Sequence, residues 1–269
     1  LKIHSTAIVD RHAQLGHDVE IGPYACIGGE VSLGDRSIVQ SHAVLEGAVN
    51  LGSDNLVGHG AIIGTWPQDL SFDPKTKSSV RIGARNVLRE HVTIHRGTAE
   101  ESATSIGDDN YLMAGAHLGH NCCIANKVII ANNCLLGGYV EVEDGAFLGG
   151  GCVFHQHMRV GRMAIAQGLS AFSKDIPPFV IAAERNYVFG LNVVGLRRSR
   201  FSAAERDEIK AAFKLLYLSG LNTSQVLAQA GEREWSSAAR AFFDFVAAAK
   251  KRGICAYKRG EEQKATDGF

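Results

Sequence analysis

From Ile106 to Ala166 an apolar residue returns at every sixth position: Ile106, Leu112, Leu118, Ile124, Ile130, Leu136, Val142, Leu148, Phe154, Val160 and Ala166. The same interval runs upstream through Ile3, Val9, Leu15, Ile21, Ile27, Leu33, Val39, Leu45, Leu51, Val57 and Ile63. A period of six fits neither the 3.6 of an amphipathic helix nor the alternation of a single strand. It predicts short parallel strands joined by corners, with one side chain per hexad pointing inward. The fold class expected is therefore mainly β, a left-handed parallel β-helix of hexapeptide repeats. About two dozen inward aliphatics, each stabilising by roughly 1.5–3 kcal/mol when buried, supply an ample core.

The register breaks twice. Ile63 to Ile82 is not a multiple of six, so a loop beginning Gly64-Thr65-Trp66-Pro67-Gln68-Asp69-Leu70 is expected between 64 and 81. Ile82, Leu88 and Ile94 resume the pattern, and a polar segment over 97–105 makes a second insertion. Loops pushed out of an otherwise regular solenoid point to function. After Lys174 the pattern gives way to Asp175-Ile176-Pro177-Pro178, read as an extended linker that ends the coils. Ser202 with Glu205 forms a capping box for a helix from Ala203 to Leu218. Further helices are predicted near Ser224–Ala230 and from about Ser237 to Lys251, before Gly253. The division expected is a repeat domain over 1–186, carrying both insertions, and a small helical domain over 187–269.

Composition narrows the function. Lysine plus arginine balance aspartate plus glutamate at 28 each, which argues against a nucleic-acid binder. The thirty glycines are expected at corners needing positive φ. The six cysteines show no paired metal spacing and read as reduced, structural residues of a cytoplasmic protein. Neither a signal peptide nor an apolar run near eighteen residues is seen, so membrane insertion is not expected.

Three hexads make one triangular coil, so residues eighteen apart stack at roughly the 4.8 Å strand spacing. That puts Gly138 one coil above His120, and Gln156 above Gly138. A histidine under a glycine whose N–H can point outward is the geometry of a general base beside an oxyanion donor. His95, His117, His155 and His157 gather in the same zone, where corner histidines can also be mere solvated hydrogen-bonders. His117 and His120, three apart, leave open a zinc site of the gamma-type carbonic anhydrase kind. Arg197, Arg198 and Arg200 read either as a solvated helix start or as a phosphate clamp. Lys250, Lys251, Arg252, Lys258 and Arg259 read as a solvated tail on which an acidic carrier protein could dock.

Over nearly its whole length the chain resembles the UDP-N-acetylglucosamine O-acyltransferases of lipid A biosynthesis. The resemblance rests on Pro67-Gln68-Asp69-Leu70, Val92-Thr93-Ile94-His95-Arg96-Gly97-Thr98, Ala116-His117-Leu118-Gly119-His120-Asn121-Cys122 and His155-Gln156. It extends to Asp175-Ile176-Pro177-Pro178, Phe189-Gly190-Leu191-Asn192, Gly195-Leu196 and Arg252-Gly253-Ile254. It implies a cytoplasmic homotrimer moving an (R)-3-hydroxyacyl group from acyl carrier protein to the 3-hydroxyl of UDP-GlcNAc. No metal or cofactor is implied beyond the phosphopantetheine of the carrier. By this resemblance His120 is the base and Gly138 the oxyanion donor. Gln68, Asp69, His95, His117, His155, Gln156, Asn192 and Arg198 bind substrate, and Gly168 with Ile165 limits acyl length.

Four positions depart from the family pattern: Ser71 for lysine, Asn121 for aspartate, Tyr139 for histidine and Val194 for glutamate. The Asn121 change removes a carboxylate that could orient His120. Three other readings stay open: a related acyltransferase with another acceptor sugar, the zinc enzyme, and a β-helix that only binds.

Overall fold

The computed structural model describes residues 1–249 and 252–258. Lys250, Lys251 and Arg259 of the expected basic tail lie outside the described residues. Two-residue strands wind into three parallel sheets, forming the faces of a prism. The first face begins with Lys2–Ile3, the second with Ile8–Val9 and the third with Gln14–Leu15. The hexad residues point inward: Leu112, Leu118, Ile130, Leu136, Leu148 and Val160 are completely buried. Ile3, in the first coil described, is exposed.

Coil length varies while the columns stay aligned. Ile3 pairs with Ile21, but Leu51 pairs with Ile82 across the first insertion and Leu88 with Leu112 across the second. A buried ladder of amides holds the columns through both breaks. Asn55 Oδ1 accepts from the Asn86 N–H at 2.8 Å, and Asn86 Oδ1 accepts from the Asn110 N–H at 2.9 Å. Asn110 Oδ1 in turn accepts from the Val128 N–H at 2.7 Å.

The glycines serve close approach more than left-handed backbone. Among the described residues nineteen non-glycine residues have positive φ, against eight glycines. A side chain at Gly149 would meet the Gly168 backbone N at 2.4 Å, and one at Gly119 would meet the Gly138 N at 2.8 Å. Stacked corners therefore demand glycine because the next coil occupies the space of a Cβ.

The expected linker is part of the last coil. Ile176 bridges Val160, and the buried Asp175 accepts from the Arg159 N–H at 2.8 Å and from its guanidinium at 2.9 and 2.8 Å. The first face continues through Val180–Ala183, turns into the antiparallel strand Tyr187–Leu191 and ends with Ala256–Tyr257. The boundary expected after 186 thus falls in the turn of a hairpin. Four helices follow: α1 (Val193–Arg198), α2 (Ala203–Leu218), α3 (Thr223–Ala230) and α4 (Ser237–Ala247). The Ser202–Glu205 capping box is present at α2, whereas α4 ends at Ala247, short of Lys251. Ala212 and Phe213 of α2 and Phe242, Phe243 and Val246 of α4 share the core. Among the described residues no helix is long and apolar enough to cross a membrane.

Candidate active site

His120 follows the strand His117–Leu118 at the corner between the second and third faces. Gly138 holds the same corner one coil on, as the period requires. A Cβ built there would lie 2.4 Å from His120 Cε1 and 2.5 Å from Nε2. The imidazole therefore rests against the bare Cα of Gly138.

At the corner between the third and first faces, side chains of the next coil cap the amides. There the Asp108 N–H donates to Asn126 Oδ1 at 2.7 Å, and the Asn126 N–H donates to Asp144 Oδ1 at 2.8 Å. Among the described residues no acceptor plays that part for the Gly138 N–H. It is left without a protein acceptor, one coil on from the imidazole.

His120 Nδ1 lies 3.0 Å from Asn121 Oδ1. The same Oδ1 accepts from the Thr98 N–H at 3.1 Å and from Thr98 Oγ1 at 3.0 Å. A backbone N–H can only donate, so the amide atom facing it is oxygen, and the proton between Asn121 and the ring belongs to Nδ1. Nε2 is then the bare nitrogen. Asn121 thus orients His120 without a carboxylate. Tyr139 stands edge-on to the His120 ring at 5.2 Å, with its hydroxyl 3.0 Å from Thr98 Oγ1, and stacks on His157 at 4.5 Å.

The first inserted loop comes within electrostatic reach. Asp69 accepts from the Ser71 N–H at 2.9 Å and the Ser71 hydroxyl at 2.7 Å. Those bonds hold its carboxyl below the usual range, and His120 adds to the effect when it carries a second proton. Ser71, standing where the family pattern has lysine, folds this turn. Gln68 is exposed beside it, and Leu70 is fully solvent-facing.

The loop is anchored from beneath by His95, expected as a substrate ligand, and by its neighbour Arg96. His95 Nδ1 donates to the Trp66 carbonyl, and Arg96 donates to the Pro74 carbonyl at 3.2 Å with its guanidinium over the Phe72 ring. Burial lowers the pKa of His95. His117 meets Thr93 Oγ1 at 2.7 Å and His95 edge-on at 5.2 Å. Burial, then the neighbouring His95, pulls its pKa down to about 4, so both rings are neutral at pH 7. His155 and Gln156 lie two coils above His120, where the Arg252 guanidinium donates to His155 Nδ1 at 2.6 Å.

Four expected site residues sit elsewhere in the chain. The Asn192 side chain caps α1, accepting from the Gly195 N–H at 2.8 Å and donating to the Met163 carbonyl at 2.9 Å. Arg198 borders a cleft of about 780 Å³ at the corner between the third and first faces, with Arg162, Arg200, Asp108 and Asp144. Ile165 and Gly168 lie at the corner between the first and second faces. Lys258 pairs with Glu184 and covers Tyr187 and Phe189, so it is tied down. All six cysteines are free, and burial pushes the Cys122 thiol up to about 12. Among the described residues no three His, Cys, Asp or Glu side chains are grouped to hold a metal ion.

Known proteins resemble the chain over nearly its whole length. The family profile described as UDP N-acetylglucosamine O-acyltransferase, domain 2, matches residues 175–255. That of the bacterial transferase hexapeptide matches 12–47 and 103–138. The acyl-[acyl-carrier-protein]–UDP-N-acetylglucosamine O-acyltransferase of Paraburkholderia phymatum is 43% identical, over 94% of this chain and 98% of that protein. Its counterpart from Paraburkholderia xenovorans is 45% identical over 86% and 88%. The solved UDP-N-acetylglucosamine acyltransferase of Campylobacter jejuni superposes with a TM-score of 0.90 at 36% identity, covering 96% of this chain and 100% of that one. The Arabidopsis enzyme superposes at 0.84 with 30% identity, covering 94% and 99%. With relatives 43–45% identical over 86–94% of its length and its repeats and helical cap matched, the chain belongs to the family of UDP-N-acetylglucosamine O-acyltransferases.

Proposed function

We infer that the chain moves an (R)-3-hydroxyacyl group from acyl carrier protein to the 3-hydroxyl of UDP-GlcNAc, the opening step of lipid A synthesis. The observation that carries the mechanism is the pairing of a bare His120 Nε2 with the uncapped Gly138 N–H. Nε2 takes the proton of the sugar hydroxyl as its oxygen attacks the thioester carbonyl, and the Gly138 N–H steadies the oxyanion. Collapse breaks the C–S bond, and His120 returns the proton to the departing phosphopantetheine thiolate.

The outward side chains of the prism support a homotrimer. The first face presents Ile38, Ile129 and Ile165, and the second Ile62, Leu135 and Val153, while the third is polar with Ser32, Asn50, Ser105 and Glu141. Two adjacent apolar faces on one prism suit three copies around an axis, the first face of each on the second face of the next. That arrangement sets one copy's His120 corner opposite its neighbour's Arg198 cleft. A seam leading inward from His120 would run toward the corner of Gly168 and Ile165. Gln68 and Asp69 hold the acceptor in this reading, with the arginines meeting its phosphates and the acidic carrier.

The test is product identification from purified protein, UDP-GlcNAc and a mixture of acyl carrier protein thioesters. His120→Ala should cost about 10²–10⁴-fold in turnover with assembly unchanged. Near-normal rates in that variant, or preference for another sugar nucleotide over UDP-GlcNAc, would overturn the assignment.

A further inference from the structure

The second insertion lengthens one coil by a whole hexad, and nothing in the acyl-transfer chemistry above uses it. Its two ends converge on Asn121. From the start of the loop, the Thr98 N–H and Oγ1 reach Asn121 Oδ1. From its end, Thr104 Oγ1 accepts from the Asn121 N–H at 2.8 Å and donates to the His95 carbonyl at 2.6 Å. Asn121 stands in the left-handed region with φ 59°, a conformation asparagine tolerates, so its amide is presented sideways to the ring.

We propose that Thr98 is a positioning residue for the His120 base: from the extruded loop it fixes the Asn121 amide so that imidazole Nδ1 is held protonated and Nε2 is left bare. The inference rests on the reading of His120 as the base. The proton order follows from the partners. Thr98 Oγ1–H donates to Asn121, so the Tyr139 hydroxyl donates to Thr98 Oγ1, and the chain runs from Tyr139 through Thr98 and Asn121 to the ring. In this protein a neutral relay replaces the charged partner of the family pattern, which leaves base strength unassisted by a carboxylate on the Nδ1 side. The titratable groups facing the ring are Asp69 from the first loop, His95 from the second face and Tyr139 from the coil above.

The experiment combines kinetics with 15N NMR of histidine-labelled protein, the His120 signals being assigned by their loss in His120→Ala. In the parent above pH 8, Nδ1 should be the protonated nitrogen. Thr98→Val should lower kcat about three- to tenfold with KM unchanged and mix the two tautomers. Thr98→Ser should restore both. Asn121→Asp should shift the acid limb of kcat/KM to higher pH, because a carboxylate makes the ring hold its proton more tightly. A parent protonated at Nε2, or a Thr98→Val enzyme with unchanged kcat and tautomer, would overturn the proposal. Failure of the base reading shows separately, as activity surviving in His120→Ala while the tautomer pattern of the parent stands.

Discussion

A single methyl group probes how closely His120 and Gly138 depend on each other. The Cβ of Gly138→Ala would sit 2.4 Å from His120 Cε1, and the ring must swing away. Misplacement by about 1 Å costs about a hundredfold in well-oriented catalysis, so kcat should fall at least that far while the coils stay intact. Turnover within a factor of about three of the parent would argue against the pairing. His117 gives a second prediction, this time on stability. An unfolded histidine titrates near pH ~6.5, whereas the folded His117 does so at about 4, with His95 lowered in the same direction. Between those values the unfolded chain binds a proton that the folded chain refuses. Stability is therefore full above the window and declines as pH falls through it. The Tm should drop between pH 7 and 4.5, and His117→Gln should flatten that slope; a slope identical in both proteins counts against the buried neutral ring.

At the scale of elements, the extruded hexad should be separable from the fold. Leu88 pairs with Leu112 across it, whereas the next coil pairs Leu112 with Ile130. Excising Gly97 through Ser102 would restore an ordinary coil. The variant is expected to keep its Tm within about 5 °C of the parent and to lose at least about tenfold in kcat, because Thr98 leaves with the loop. An unfolded product, or full activity, would contradict this. What could be read in advance follows the range of the interactions. The hexads and the Ser202–Glu205 cap are local patterns, and the solenoid and α2 emerge from them directly. The hairpin Val180–Leu191 and its closing strand Ala256–Tyr257 depend on partners far apart in the chain, so a run ending in two prolines looked like a linker. The glycine count misled for a related reason, since proximity of the next coil is invisible in a one-dimensional string.

For the whole molecule, the stacking of His120 beneath Gly138 was legible because one period fixes both residues. Arg198 and Gly168 occupy other corners, and no periodicity within a chain says which corners meet between copies. The proposed trimer would supply that relation, and charge placement tests it. Leu135→Glu on the second face and Ile129→Glu on the first should yield monomers in sedimentation at micromolar concentration, with activity lost. Ser105→Glu on the third face should change neither. Trimers in the first two, or monomers in the third, would refute the packing. The amide ladder from Asn55 through Asn86 to Asn110 carries a last consequence. Because it keys the turns on either side of both bulges to each other regardless of how much chain lies between them, the bulges hang from a fixed spindle. The first bulge, which carries Gln68 and Asp69, can therefore be rewritten for another acceptor without shifting a single rung of the scaffold beneath it.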